Sequence, residues 1–352
     1  MSRYIQSLKL NDLFSDEESQ LIFRWRDLYS QTGDMHSIAS MCETLYQKKS
    51  NITLKKQLGS CDQVVAFGCG AIGHRTVTIL NMLGIPVDYY CDNDIQKWGT
   101  VHLGKKVISP QQLSRISGKT AVIITTSIPS YIMQIKQQLA EMEFPESNIL
   151  IPCKIMGDQY FDLPAIHPST NGIFIDAGCF NGDDSLNFIH WSKQKYQSIV
   201  AFEPDEKNFK NCHRALSKYP NITLYPYALW SSDNNVSFVA DQSGSSHIEQ
   251  NTGGKISSIK LDTLLKETPV TYIKMDIEGA ELEALYGAQQ IIQAYRPQLA
   301  ICVYHKPNDI YDIPFYLKNL VPEYHFYLRH YSLCDLETVL YAIAGDSFQN
   351  KR

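Results

Sequence analysis

Short, wholly apolar runs separated by segments of helical period fill the chain from residue 61 onward. Such runs, bounded by Gly, Asp and Pro, predict strands buried on both faces, as in a parallel sheet flanked by helices. Over 61–152 the order is a strand in "QVVAFGC", a helix in "AIGHRTVTILNMLG" stopped by Gly84, and a strand in "PVDYYCDND". A turn after Trp98 and Gly99 predicts a hairpin, followed by a strand in "TAVIITTS", a helix from Ser130 to near Glu143 and a strand in "NILIPC". This alternation predicts a small βα-repeating domain.

A second series runs over 172–346, with strands in "GIFIDAG", "SIVAFEP", "ITLYPYAL", "TYIKMDI", "QLAICVYH", "YHFYLRHY" and "ETVLYAIA". Helices fit 183–193, 205–218, 280–295 and 312–320. The last two strands leave no room for a helix between them, so they must pair as an antiparallel hairpin. The stretch 231–262 predicts extra short strands around a polar loop, in which "SGSSHIEQ" reads as a substrate lid.

Residues 1–58 read as helical, with Ser15 and Glu18 placed as a capping box ahead of Leu21, Ile22, Trp25 and Leu28. Residues 154–171 lack periodicity and carry Gly157, Pro164, Pro168 and Asn171, the composition of a linker. The expected division is therefore a helical segment (1–58), a small Rossmann-like domain (59–153), a linker (154–171) and a larger α/β domain (172–346).

The 352 residues are 44% hydrophobic and 20% charged, which suits packed globular domains. A net charge of -5 argues against a large basic surface for nucleic acid. Nine cysteines without a C-x-x-C pair argue against a zinc ribbon and fit reduced thiols. The N-terminal stretch has no long apolar core, so neither a signal peptide nor membrane insertion is expected, and the expected location is cytoplasmic. A homo-oligomer is compatible with the helical N-terminal segment, which offers a docking surface and no chemistry.

The second series carries a glycine loop, "FIDAGCFNGDDS" (174–185), after its first strand. Gly178 and Gly182 allow a tight turn and a close approach of backbone to ligand. Asp183 and Asp184 open the next helix, and two acids there would repel a pyrophosphate. A sulfonium nucleoside such as S-adenosylmethionine (SAM) has no phosphate and tolerates them. Glu203 ends the second strand about 20 residues past the loop, where a carboxylate accepts both ribose hydroxyls of an adenosine.

The stretches "FIDAGCFNGDDS", "VAFEPDEKNFKNC", "YALWSSDNNVSF", "IKLDTLL" and above all "YIKMDIEGAELEALYGAQQII" resemble the FkbM family of SAM-dependent methyltransferases, in order over about 172–305. Where the family more often has D-x-G-A-N-x-G, this chain has Cys179 and Phe180, then Asn181. The resemblance implies an α/β class I methyltransferase sheet with an antiparallel last strand, preceded by a smaller N-terminal Rossmann-like α/β domain. It implies SAM as cofactor and methyl transfer (EC 2.1.1) to a hydroxyl of a saccharide, glycolipid or related surface or secondary-metabolite precursor. Asp176, Gly178, Cys179, Asn181, Gly182, Ser185, Glu203 and Ala228 are the cofactor-site residues, Ala228 being small enough for an adenine edge.

Methyl transfer from a sulfonium needs an acceptor oxygen in line and a group to take its proton. Asp276 and Glu278 end the fourth strand, on one face if the strand persists, and His305 ends the fifth. His305 or Asp276 is the expected general base. A variant has Asp276, Glu278 and His305 binding a divalent metal that acidifies the hydroxyl. Glu281 and Glu283 read as solvated or as partners of the helix dipole. Arg329 and His330 fall where they could reach an acceptor.

The first series has its own loop, Gly68, Gly70 and Gly73 in G-x-G-x-x-G spacing, with Asp92 about 20 residues later, the context of a dinucleotide fingerprint. Its sheet is half the size a full dinucleotide fold needs. A nucleotide-sugar site, a structural role and an NAD-dependent oxidoreductase remain open there. A non-catalytic nucleotide-sugar-binding or scaffolding protein of polysaccharide biosynthesis is the alternative for the whole chain.

Overall fold

The structure is a computed structural model that describes residues 11–116, 118–126, 128–239, 247–248 and 254–345. The contacts divide it into two compact units. The smaller gathers Arg24–Asp158 and His330–Glu337; the larger holds Gln159–Arg329, the described residues up to Phe23 and those from Thr338 on.

The smaller unit contains β1 (Gln63–Phe67), β2 (Tyr89–Cys91), β3 (Val101–His102), β4 (Lys105–Ile108), β5 (Thr120–Ile124) and β6 (Ile149–Leu150), in the order β3-β4-β2-β1-β5-β6. All neighbours run parallel except the β3–β4 hairpin. β5 is buried at every position, the mark of a strand covered on both faces. Leu103 and Gly104 join β3 to β4 with φ of 48° and 73°, the left-handed pair that a two-residue hairpin turn requires. Helices Met35–Ser50, capped by Asp34, Ala71–Met82 and Pro129–Glu141 belong to this unit, and Ile132, Ile135 and Leu139 of the last pack with Val65, Phe67, Val122 and Ile124 of the sheet.

The larger unit contains β7 (Ile173–Ala177), β8 (Ser198–Phe202), β9 (Ile222–Tyr225), β14 (Tyr272–Met275), β15 (Gln298–Cys302), β16 (Tyr324–His330) and β17 (Thr338–Ala344). Their order is β16-β17-β15-β14-β7-β8-β9, with β17 antiparallel to β15. That is the sheet of a class I methyltransferase, and the chain order reverses between β7 and β14. Between β9 and β14 an excursion adds β10 (Ala228–Leu229), β11 (Asn235–Val239), β12 (His247–Ile248) and β13 (Gly254–Ile259) in a second small sheet. The expected lid at 243–250 lies outside the described residues, save the backbone of β12.

Several elements differ from expectation for identifiable reasons. The helix start near residue 17 is capped by Asp16, which accepts from Ser19 N at 2.8 Å, rather than by Ser15. The expected helix 280–295 is two helices, Glu281–Tyr286 and Gln289–Tyr295. Asp262 breaks it: its carboxylate accepts from Gln290 N and Ile291 N, both at 2.9 Å, and so starts a new helix there. The stretch that reads as a linker is structured: helix Pro152–Met156 runs into its start, and Tyr160, Phe161 and Leu163 are buried. Phe161 packs against Phe174, Trp191 and Tyr272 at ring separations of 6.2, 5.4 and 6.1 Å, so this stretch closes the larger unit's core. Arg329 pairs with Asp16 at 2.6 Å, and His330 is buried with Nε2 3.7 Å from Cys42 Sγ; both are structural here.

No helix among the described residues is long and apolar enough to cross a membrane.

Candidate functional site

The reversal between β7 and β14 is where ligands bind in open α/β sheets, at the carboxyl ends of the strands. β7 ends in the turn 178–182, and helix Asp183–Trp191 follows. Gly178 has φ +77°, and a Cβ there would lie 1.9 Å from Asp276 O, so only glycine lets this turn pass beside β14. Gly178 N and Cys179 N both donate to Phe202 O at 3.0 Å, which binds the turn to the end of β8.

Glu203 stands just past β8 and is buried. Its Oε2 accepts from Phe180 N and its Oε1 from Asp205 N, both at 2.9 Å. Burial pushes its carboxyl up to about 7, against the pull of those two backbone donors. Each oxygen retains a lone pair for a further donor. Asn181 accepts from Asp183 N at 3.1 Å and donates to Asp183 Oδ2 at 3.0 Å, fixing the entry to the helix that Gly182 opens. Ala228 is buried at the start of β10.

Asp176, Cys179 and Ser185 are buried beneath the turn rather than presented at its edge. Ser185 donates to Asp176 Oδ2 at 2.6 Å, and Lys274 Nζ lies 3.1 Å from Asp176 Oδ1. Lys274 also reaches Gly178 O at 2.7 Å and Asp184 Oδ2 at 2.9 Å, so its three protons meet three acceptors. Burial alone would lower its pKa; the carboxylates of Asp176, Asp184 and Asp276 instead hold it well above the usual lysine value. Burial raises Asp184 to about 6, outweighing Lys274. Cys179 Sγ and Cys212 Sγ are 2.9 Å apart as free thiols.

β14 stops at Met275, so Asp276 and Glu278 do not share a strand face. The loop that follows brings both to His305 nevertheless. His305 Nε2 lies 3.4 Å from Asp276 Oδ1 and 3.5 Å from Glu278 Oε2. Its Nδ1 lies 2.9 Å from Glu281 Oε1, and Glu281 is fully buried, contrary to the solvated role its position suggests. Tyr160 and Tyr304 donate to Asp276 at 3.0 and 3.2 Å. Burial would lower the His305 pKa, but Glu281 first, then Asp276 and Glu278, raise it to about 10. Desolvation would raise Asp276, but His305, Lys274 and the hydroxyls of Tyr160 and Tyr304 hold it below the usual carboxylate value. At neutral pH His305 is therefore an imidazolium, a donor without a lone pair. Ligand atoms of Asp276, Glu281 and His305 lie within 4.8 Å of one another, so a divalent ion replacing that proton would also fit. Beside this cluster, Glu283, Lys306, Asn308 and Asp312 line an open cleft of about 330 Å³.

In the smaller unit, Gly73 packs so closely that a Cβ would lie 2.0 Å from Gly68 O, and Gly70 caps the helix. Asp92 Oδ2 accepts from Cys69 N at 2.7 Å and from Lys97 Nζ at 3.0 Å, so its carboxylate is committed to the loop.

Residues 176–330 match the family described as the methyltransferase FkbM domain. No curated protein matches the chain's sequence. Among solved structures, it is similar to a methyltransferase FkbM from Methylobacillus flagellatus KT, at 17% identity and TM-score 0.48, over 88% of this chain and 100% of that one. It is also similar to an rRNA methylase from Streptococcus thermophilus, at 16% identity and TM-score 0.34, over 50% and 88% of the two chains. A third is the Aeropyrum pernix fibrillarin crystallised with S-adenosyl-L-methionine, at 10% identity and TM-score 0.32, over 51% and 69%. The glycine turn, the strand order and the family match converge on one conclusion: residues 176–330 form a SAM-dependent methyltransferase domain of the FkbM family.

Proposed function

We propose that this domain transfers a methyl group from SAM to a hydroxyl of a saccharide, glycolipid or related precursor in polysaccharide biosynthesis, in the cytoplasm. One observation carries the reading: at the sheet's reversal point a glycine turn has the buried Glu203 carboxylate on one side and the Asp276–His305 cluster on the other. Glu203 accepts the ribose hydroxyls, Gly178 and Gly182 bring backbone up to the cofactor, and Ala228 leaves room for adenine. Asn181 shapes the turn, while Asp176, Cys179 and Ser185 support it from below.

In the reaction the sulfonium C–S bond breaks as the acceptor O–C bond forms, and the acceptor proton must leave. An imidazolium cannot take it, so that role passes from His305 to a carboxylate. Asp276 is held by three donors and is a weak base; Glu278 is 40% exposed and sits beside the same imidazolium. Glu278 is the proton acceptor in this reading, with Asp276 and His305 orienting it. The cleft lined by Glu283, Lys306, Asn308 and Asp312 offers the mixed donors and acceptors that a polyhydroxylated acceptor requires.

The test is calorimetric titration of SAM, NAD and a nucleotide-sugar into the whole chain and into Glu203→Ala, with methyl-labelled SAM then offered saccharide acceptors. SAM binding that Glu203→Ala abolishes, and label in an acceptor hydroxyl, are expected. Tight NAD binding without SAM binding would instead support the oxidoreductase reading. SAM binding without label in any acceptor, metal-supplemented assays included, would support a scaffolding role.

A further inference from the structure

The smaller unit brings together three groups that the methyltransferase reading does not use. Cys69 lies in the glycine loop, His74 in the first turn of helix Ala71–Met82 and His102 at the end of β3. Cys69 Sγ is 3.3 Å from His74 Nε2, and the His74 and His102 rings stack with centroids 4.9 Å apart. One ligand atom from each of the three lies within 4.8 Å of the other two. We propose that Cys69, His74 and His102 bind a Zn²⁺ ion, with a fourth position open to water.

The spacing suits the ion. Zinc–sulfur and zinc–nitrogen bonds of about 2.3 and 2.0 Å at a tetrahedral angle place the two ligand atoms roughly 3.5 Å apart, close to the separation of Cys69 and His74. The donor set, one thiolate and two imidazoles, selects a borderline-soft cation over Mg²⁺ or Ca²⁺.

The scaffold holds each ligand in place. Cys69 N donates to Asp92 Oδ2 at 2.7 Å, and the packing of Gly73 on Gly68 fixes the helix that carries His74. The two-residue turn Leu103–Gly104 sets the register His102↔Lys105 and with it the end of β3. Thr100 Oγ1 lies 3.1 Å from His102 Nε2, an outer partner of the kind that orients a ligating imidazole. The nearby Lys97 ammonium is paired with Asp92.

The test uses the full chain stripped of metal by a chelator, then titrated with Co²⁺ as a spectroscopic probe and with Zn²⁺ in competition. One equivalent of Co²⁺ should give a thiolate-to-cobalt charge-transfer band and tetrahedral d–d bands, both erased by Zn²⁺. Cys69→Ser should lose the charge-transfer band. His102→Gln, on the hairpin edge, should weaken Zn²⁺ by at least about tenfold. Far-UV circular dichroism and thermal melting establish that each variant is folded. A wild-type chain without the thiolate band at saturating Co²⁺ overturns the proposal, as does a band that survives in folded Cys69→Ser. Cobalt bound without that band and lost in Glu281→Gln would assign the ion to the Asp276–Glu281–His305 cluster instead.

Discussion

Lys274 Nζ and Asp176 Oδ1 are 3.1 Å apart across neighbouring strands, with their side chains 1% and 0% exposed. The pair joins the middle of the methyltransferase sheet to the turn, because the same ammonium holds Gly178 O and Asp184. Removing one member of a buried pair leaves a charge without compensation, at about 3–5 kcal/mol. Lys274→Met should therefore lower stability by about that amount in urea unfolding. Adding Asp176→Asn should recover part of the loss, since the orphaned carboxylate is then gone. A Lys274→Met midpoint equal to wild type would show that the pair does not support the turn.

Gly178 and Gly70, one from each glycine loop, should respond differently to the same small change. A Cβ at Gly178 meets Asp276 O at 1.9 Å with φ at +77°, whereas a Cβ at Gly70 meets nothing within 4 Å. Gly178→Ala should abolish SAM binding and destabilise the fold by at least about 1–2 kcal/mol from the left-handed backbone alone. Gly70→Ala should leave SAM affinity unchanged and cost the fold no more than about 1 kcal/mol, through the loss of a glycine N-cap. Paired calorimetry and denaturation measure this; tolerance of Gly178→Ala would count against the turn as the cofactor site.

How legible this site is in the sequence depends on where each residue's partner comes from. Most strands read correctly as short apolar runs, and the antiparallel direction of β17 follows from the missing helix before it; "ITLYPYAL", read as one strand, is instead divided between β9 and β10 in different sheets. Glu203 is visible because its role depends on its distance from the nearby loop. Lys274 and Glu281 are not visible as buried charges. A charged residue in isolation reads as solvated, and the partners that permit burial are supplied by distant chain: Asp176 for Lys274, His305 for Glu281. Tyr160 escapes for a similar reason. It lies in a stretch without periodicity, yet its hydroxyl reaches Asp276. The break between Tyr286 and Gln289 is equally hidden, since the capping carboxylate comes from Asp262.

SAM affinity should depend on pH through Glu203. Its carboxyl is pushed up to about 7 by burial, so near neutrality a large fraction is protonated. The ionised form accepts two ribose hydroxyls; the neutral form has one oxygen turned donor. Affinity should rise by roughly tenfold from pH 6 to pH 8, as ionisation proceeds through a pKa near neutrality. Glu203→Gln should bind more weakly at every pH and without that slope. Calorimetric titrations across this range decide it, and a flat wild-type profile would remove Glu203 from the ribose site.

The His305 cluster makes a prediction about stability that needs no substrate. The folded pKa of His305 is about 10, against an ordinary histidine value near 6.5, because Glu281, Asp276 and Glu278 together overcome the cost of burial. Between those values the folded chain holds a proton that the unfolded chain has lost. The unfolded state thus binds fewer protons, and stability falls as pH rises. The contribution is fully present below about 6.5 and lost as pH passes through the folded value. Wild-type unfolding free energy should therefore decline more steeply from pH 7 to 10 than that of His305→Asn, which has no proton to lose there. Glu281→Gln removes the strongest of the raising carboxylates and should shift the decline to lower pH. Urea unfolding at a series of pH values reads all three curves. Identical slopes for wild type and His305→Asn would mean that this imidazole is not held charged. The case for Glu278, rather than His305, as proton acceptor would then fall with it.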